Sequence, residues 1–313
     1  MMPVTQYNIK DFFRLTAISV AFVVLSGFIQ GFGVIFLFLS VVPQITFLRV
    51  KKYSYAAWSW LLVCAAIGLL RSWNFILLYL FMFVFYSIWY SVILKWESKP
   101  YSKVLNASMC WIVLLIFWGI FNKIVLNVNV LENIIKDIKI VGALTIGKYY
   151  DFGLPQAQVD LIEKSMKNII VFFKKSFIGC CFTAGVIGSW AVYHSIGKMM
   201  PVKPLPSVKM FRLPEKYIWF LIGAGFFYIM GIKLSEYNVL AIMGINMGVV
   251  LLCGYFLSGL GLSVALMTNL NISGLLRFII LFFFFLFLRG IYIFIVIGIA
   301  DVWFNFRKKW YSS

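Results

Sequence analysis

The chain has 313 residues, of which 63% are hydrophobic and only 12% are charged, and its net charge is +18. A soluble domain normally needs about a quarter of its residues charged to form a polar surface. The composition therefore excludes a soluble globular protein and predicts an all-α polytopic transmembrane helical bundle. The basic residues occur in short loops between apolar segments, which is typical of membrane topology and argues against nucleic-acid binding.

The amino-terminal part of the chain begins with an apolar block, Phe12–Leu48, that is too long for a single span. Small and polar residues interrupt the block at Gly27, Gln30, Gly31 and Gly33. We therefore expect two short helices joined by a tight hairpin, the second of which carries Pro43. Further apolar segments of spanning length follow at Tyr55–Leu70, Trp73–Leu94 and Val104–Ile120.

The segment Asn127–Asn168 differs from the rest of the chain because its charges balance. It holds five basic and five acidic residues, and the acidic ones are half of the 10 in the whole chain. Two amphipathic stretches, Leu131–Ile138 and Val159–Phe173, with Pro155 before the second, predict an amphipathic helical hairpin on the outer face. This hairpin could gate the bundle or only seal it, and the residues do not distinguish these roles.

The carboxy-terminal part contains a last apolar block, Gly274–Phe304, that is again too long for one span. A break at Arg289–Gly290 would give a second short hairpin, and a break at Gly259–Gly261 is the alternative. The preceding apolar segments are Phe177–Ile196, Ile218–Ile232 and Tyr237–Leu257. One integrated membrane domain is thus expected, divided into an amino-terminal half (1–126), an external segment (127–175) and a carboxy-terminal half (176–313).

Clusters of Lys and Arg occur at the amino terminus and after every second span, as cytoplasmic loops require. They are Lys10/Arg14, Arg49/Lys51/Lys52, Lys95/Lys99/Lys103, the five bases between Lys198 and Lys216, and Arg307/Lys308/Lys309. The pattern predicts an even number of spans, about ten, with both termini in the cytoplasm. We expect the protein to lie in a bacterial cytoplasmic membrane, with the lipid bilayer as its main partner.

The distribution of reactive side chains argues against catalysis and ion coupling. None of the acidic residues lies in the middle of a predicted span, where proton- or sodium-coupled transporters usually hold a carboxylate. The chain has no phosphate-binding GxxxxGK[ST] loop, no cysteine pair with CxxC spacing and a single histidine, His194. We therefore expect no enzyme activity, no metal site and no cofactor.

Five polar or basic residues are candidate ligand contacts. Arg71 and Arg289 fall at predicted outer span ends, where they could pair with an anionic substrate group or extend to lipid headgroups. Gln30, Asn246 and Ser258 lie within apolar segments and could bind a ligand or stabilise helix packing.

Three strings suggest a family. Gly298-Ile-Ala-Asp-Val-Trp-Phe-Asn-Phe-Arg307 resembles the terminal pattern of the YybS-like bacterial membrane proteins. Phe211-Arg212-Leu213-Pro214-Glu215 resembles the entry to that family's next helix, and Ser258-Gly259-Leu260 resembles its Q-G-L element with Ser in place of Gln. Among these residues we assign structural roles to Pro214, Gly259, Asp301, Trp303 and Arg307. Asp301 and Arg307 are expected to pair at an inner helix end that Trp303 anchors at the membrane interface.

The YybS-like family is distantly similar to the substrate-binding components of energy-coupling-factor vitamin transporters and to the shape-determining protein MreD. The first similarity implies a solute-binding or transport component that captures a small molecule from outside and docks on an ATPase module. Ala17 and Ala21 match the small-residue spacing of the docking helix. The second similarity implies the alternative, a non-transporting scaffold for cell-envelope machinery with membrane protein partners. An outward cavity near Gln30, Arg71 and Asn246 would favour the first function, and solid packing there would favour the second.

Overall fold

The computed structural model describes residues 8–28, 33–70, 73–153, 155–205, 208–234, 238–286 and 288–306. All regular structure within these ranges is helical, which confirms the all-α prediction. The first α-helices are α1 (Ile9–Phe28), α2 (Gly33–Ser40), α3 (Val42–Arg49), α4 (Tyr53–Leu70), α5 (Trp73–Tyr79), α6 (Phe85–Ile93) and α7 (Pro100–Val125). They are followed by α8 (Val130–Asp151), α9 (Gln156–Met199), α10 (Tyr217–Lys233), α11 (Asn238–Asn269), α12 (Gly274–Leu286) and α13 (Leu288–Phe304).

Two spans contain local departures from α-helical geometry. Helices α2 and α3 are separated at Val41, two residues before Pro43, because the proline ring has no N–H and would clash with the carbonyl of Leu39. A π-helical turn, Leu80–Val84, joins α5 to α6, so that residues 73–93 form one continuous helical segment.

The apolar helices occur in the predicted order. In the described part of the chain, five are long and apolar enough to cross a membrane, and five are shorter. The alternative break at Gly259–Gly261 does not occur, because α11 runs without interruption from Asn238 to Asn269. In the last block, α12 ends at Leu286 and α13 begins at Leu288. Residue 287 lies outside the described residues, so the predicted break at Arg289–Gly290 stays a prediction.

The predicted amphipathic hairpin is helical, but its second helix is not a separate element. Helix α8 forms the first arm, and Met166 on α9 lies against Gly142 of α8. Helix α9 then continues through Lys174 and Lys175 to Met199, for 44 residues in all. At about 1.5 Å per residue it is roughly 66 Å long, about twice the hydrocarbon thickness of a bilayer. A helix of this length extends beyond the bilayer, so the span boundary expected before Phe177 stays a prediction.

The chain divides into two compact units. Unit 1 comprises Met1–Lys174 and Ala184–Leu205, and unit 2 comprises Lys175–Thr183 and Pro206–Ser313. Unit 1 has a core rich in aromatic side chains, in which the ring of Trp111 lies 4.6 Å from that of Phe38 and 5.4 Å from that of Phe83. Phe38 packs directly against Gly188, where a larger residue would clash. The predicted three-part division stays a prediction.

Unit 2 is organised around α11, which packs against α10 and α13. Its apolar core contains Ile218, Tyr255 and Val302, with Leu213 packed against them. Helices α11 and α13 approach closely because Gly259 faces the backbone of Phe294 and Gly298 faces the backbone of Tyr255. A Cβ atom at either glycine would overlap a carbonyl oxygen, so these positions require glycine.

Candidate functional site

The core of unit 1 contains an amide surrounded by hydroxyl groups. Gln44 on α3 is fully buried, as are Ser19 on α1, Ser40 on α2 and Ser59 on α4. The Gln44 amide nitrogen donates to the carbonyl oxygens of Ser40 at 2.7 Å and Val41 at 3.1 Å, and its oxygen accepts from Ser59 Oγ at 3.1 Å. The side chain therefore bonds the break between α2 and α3 and also reaches α4.

A second set of hydroxyl groups lies along α6, α7 and α9. Tyr86 Oη and Ser189 Oγ are 2.7 Å apart, and Ser108 Oγ donates to Ser189 Oγ at 3.3 Å. Tyr90 Oη donates to the Ser189 carbonyl at 2.9 Å. All four side chains are buried, so this cluster joins three helices through uncharged polar groups.

Together we call these residues the polar core of unit 1: Ser19, Ser40, Gln44, Ser59, Tyr86, Tyr90, Ser108 and Ser189. Among the described residues of unit 1, every buried polar side chain is uncharged. Burying a hydroxyl or amide without a partner costs about 2–7 kcal/mol in an apolar medium. The members instead bond one another within apolar helices, which makes the polar core the leading candidate for a binding site in unit 1.

Asn246, a predicted ligand contact, lies in unit 2 and bonds backbone groups of α9. Its Nδ2 donates to the carbonyl of Lys175 at 2.7 Å, and its Oδ1 accepts from the N–H of Gly179 at 2.6 Å. These are the two groups that an ideal α-helix pairs with each other. Nδ2 also donates to Ile242 of its own helix at 2.7 Å. The amide thus serves helix packing, and a ligand role for it stays a prediction.

Ser258 and Gly259 lie where α11 meets α13. Ser258 is 1% exposed, and Gly259 contacts the backbone of Phe294. The string Ser258-Gly259-Leu260 therefore lies at a helix contact, and Gly298 of the terminal string lies on the opposite side of that contact. The structural role expected of Gly259 agrees with this close approach.

The other two strings meet at Arg212 and Asp301. Arg212 Nε lies 3.9 Å from Asp301 Oδ2, and its Nη1 donates to Asn305 Oδ1 at 2.9 Å. Its Nη2 donates to the carbonyls of Asp301 at 3.2 Å and Val302 at 3.3 Å, at the end of α13. The Asp301 side chain is fully buried. One guanidinium therefore holds both a carboxylate and the last turn of a helix.

The remaining residues of these strings lie at the edge of unit 2. Pro214 is exposed, and its carbonyl accepts from the N–H of Tyr217, the first residue of α10, at 3.0 Å. Trp303 is 65% exposed at the end of α13, a position compatible with an interfacial anchor.

Several predicted site residues are not described by the structure. Gln30, Arg71 and Arg307 lie outside the described residues, and Arg289 belongs to α13 but its side chain is not described. An outward cavity formed by Gln30, Arg71 and Asn246, and a pair between Asp301 and Arg307, therefore stay predictions.

Two groups escaped the sequence analysis. Gln44 carried the same signal as Gln30, an amide within an apolar block, and could have been found in that way. Arg212 was noted only as part of a string, because nothing in the sequence relates it to Asp301. The two residues are 89 positions apart.

The fold defines the class of protein. Many large apolar side chains are exposed along the helices, including Leu69 at 88%, Trp73 at 81% and Phe28 at 78%. An aqueous surface of this kind would be unfavourable, whereas lipid is a suitable solvent for it. The chain is a multi-pass helical membrane protein.

The comparison with protein families agrees with this class. The family model described as predicted membrane protein (DUF2232) matches residues 17–302. The chain belongs to this family. No curated protein and no solved structure matches the chain.

Proposed function

We propose that the protein is a non-enzymatic membrane component that binds and carries a small solute, with the polar core of unit 1 as its binding site. The observation that carries this proposal is the buried Gln44 amide, which lies within 3.3 Å of both Ser19 Oγ and Ser59 Oγ in the middle of apolar helices. The resemblance to vitamin-transporter substrate-binding components supports the same function.

The chemistry of the polar core indicates the class of solute. Its groups are hydroxyls and one amide, which can donate and accept hydrogen bonds but provide no charge. A neutral solute with several polar atoms could replace the bonds that these side chains make to each other, so that no group is left unsatisfied. An anionic or cationic solute would find no counter-charge among the described buried side chains of unit 1.

The break between α2 and α3 gives Gln44 a second property. Its amide bonds the carbonyls of Ser40 and Val41 at the break, and the Val41 carbonyl also accepts from the N–H of Ile45 at 3.0 Å. A solute that bonded the Gln44 amide would compete with these carbonyls. Binding would then be coupled to the geometry of this span, as transport requires.

The test uses the full chain purified in mild detergent. Native mass spectrometry identifies a small molecule retained from the membrane, and thermal unfolding with that compound measures binding. Saturating solute should raise the free energy of unfolding by about 2.7 kcal/mol at 100 times its Kd. Gln44→Leu should abolish this rise. Thr46→Val should preserve it, because Thr46 lies on the same helix and bonds the carbonyl of Val42 in that helix.

The rival function is a scaffold for cell-envelope machinery, and one observation favours it. Asn246, the one described member of the predicted outward cavity, is fully engaged with backbone groups. A scaffold would retain no solute, and Gln44→Leu would leave its interactions intact. Crosslinking in native membranes followed by mass spectrometry should then recover one membrane protein partner in constant ratio to the chain.

A further inference from the structure

A second feature of unit 1 lies at its basic end, apart from the polar core. Arg49 ends α3, Lys103 lies in the first turn of α7, and Lys203 follows α9. Each cation has a valine neighbour in sequence (Val50, Val104 and Val202) that belongs to, or packs on, the same apolar core cluster. The three cations therefore flank a common core, although they come from segments far apart in sequence.

Specific contacts hold the Lys103 side chain and the Lys203 backbone in place. Lys103 Nζ donates to the carbonyl of Leu94, at the end of α6, at 3.1 Å. Tyr193 Oη donates to the carbonyl of Lys203 at 2.7 Å, which fixes the backbone of the loop after α9. Helix α3 packs against α6, whose end Lys103 bonds, and Thr46 Oγ1 near the end of α3 lies 3.7 Å from Met199 Sδ near the end of α9. Folding thus keeps three like charges together, which is unfavourable unless an anion joins them.

The polar groups of this cluster are incompletely satisfied. The Nε atom of Arg49 is buried and has no hydrogen-bond partner among the described residues. Within the part of the chain that the structure describes, no carboxylate forms an ion pair with Arg49, Lys103 or Lys203. A buried guanidinium N–H without an acceptor is costly, so the arrangement fits an external oxyanion.

We propose that Arg49, Lys103 and Lys203 form a binding site for a phosphate group. Arginine and lysine together suit this ligand, because the planar guanidinium binds two phosphate oxygens and the ammonium groups add compact charge. The amino-terminal end of α7, beside Lys103, contributes the positive end of a helix dipole. The phosphate could belong to an anionic lipid headgroup or be free in solution, and both sources present the same chemistry.

The test measures lipid binding to the intact protein. The full chain in neutral detergent is titrated with phosphatidylglycerol, or with phosphatidylcholine of the same acyl chains, and native mass spectrometry counts the adducts. We expect one phosphatidylglycerol to bind preferentially. Arg49→Gln or Lys203→Gln should weaken that binding at least about tenfold, since each removes a charge-assisted bond. Arg49→Lys should weaken it less, because the charge remains.

The matched control is Lys95→Gln, which removes one charge from an exposed position beside Leu94. This change should weaken binding by less than about twofold. An equal loss in Lys95→Gln would show general surface attraction and overturn the proposal. If Arg49→Gln does not fold, Lys203→Gln decides, because Lys203 is exposed in a loop.

A second arm identifies the source of the phosphate. Inorganic phosphate is added to the same protein, and its effect on thermal unfolding is measured with and without phosphatidylglycerol. Stabilisation by phosphate that is lost in Lys203→Gln supports the site and assigns it to free phosphate. Preferential lipid binding without such stabilisation supports the site and assigns it to a headgroup. Binding of neither probe overturns the proposal. The outcome is independent of Gln44 and of any solute.

Discussion

The guanidinium of Arg212 joins the loop before α10 to the end of α13. Its Nε lies 3.9 Å from Asp301 Oδ2, and its Nη2 donates to the Asp301 carbonyl across 89 positions of sequence. Asp301 is fully buried, so the interaction compensates a charge that has left water. Each half of this contact comes from one of the strings noted in the sequence, Phe211–Glu215 and Gly298–Arg307.

The Arg212–Asp301 contact should be measurable in a double-mutant cycle. We expect Arg212→Gln or Asp301→Asn alone to lower the free energy of unfolding by about 1–3 kcal/mol, because the remaining charged group loses its partner. The double change should cost less than the sum, with a coupling of at least about 0.5 kcal/mol. Thermal unfolding in detergent provides the measurement.

The control for this cycle is Arg307→Gln combined with Asp301→Asn. If Arg307→Gln and Asp301→Asn are additive while Arg212→Gln and Asp301→Asn are coupled, the Asp301 carboxylate interacts with Arg212 and not with Arg307. Coupling to Arg307 would support the pair predicted from the terminal string. Additivity in both cycles would contradict a stabilising interaction of the Asp301 charge with either arginine.

Replacing Asn246 by alanine should destabilise the protein less than replacing it by aspartate. In Asn246→Ala, the Lys175 carbonyl and the Gly179 N–H remain near each other and can restore the helical bond of α9. In Asn246→Asp, a carboxylate would face the Lys175 carbonyl, to which it cannot donate. We expect Asn246→Asp to lower the free energy of unfolding by about 1–3 kcal/mol more than Asn246→Ala. Equal effects on thermal unfolding would contradict the observed hydrogen bonding.

Two glycines on α11 should respond in opposite ways to alanine. Gly259→Ala places a methyl group against the backbone of Phe294, so α11 and α13 must separate and stability should fall by about 1–3 kcal/mol. Gly248→Ala meets nothing within 4 Å, and it should be neutral or stabilising by up to about 1 kcal/mol, because alanine favours the helix. Equal melting temperatures for the two variants would argue against close packing at Gly259.

The orientation of the chain can be tested by cysteine labelling in intact cells. The background lacks the native Cys64, Cys110, Cys180, Cys181 and Cys253. A membrane-impermeant maleimide should modify a cysteine at Phe152, which is 79% exposed after α8, and spare one at Pro204. Permeabilised cells provide the control, in which both positions should react. Labelling of Pro204→Cys alone in intact cells would reverse the predicted topology.

The sequence by itself determined the helical class, the order of the apolar helices and the break that Pro43 causes between α2 and α3. These features depend on local properties, namely the length of each apolar run, the backbone requirements of glycine and proline, and the charge of the loops. The continuation of α9 through Lys174 and Lys175 escaped local reasoning. Two lysines resemble a boundary, although their long side chains can remain within a helix.

Only the tertiary structure decided which polar groups meet. An amide such as Gln44 or Asn246 can bond a ligand, a side chain or a backbone group with similar energy, so its identity does not specify its partner. Arg212 and Asp301 come together because the packing of α10, α11 and α13 places their backbones side by side. Such contacts depend on the whole arrangement of helices, whereas hydropathy and charge act on each segment separately.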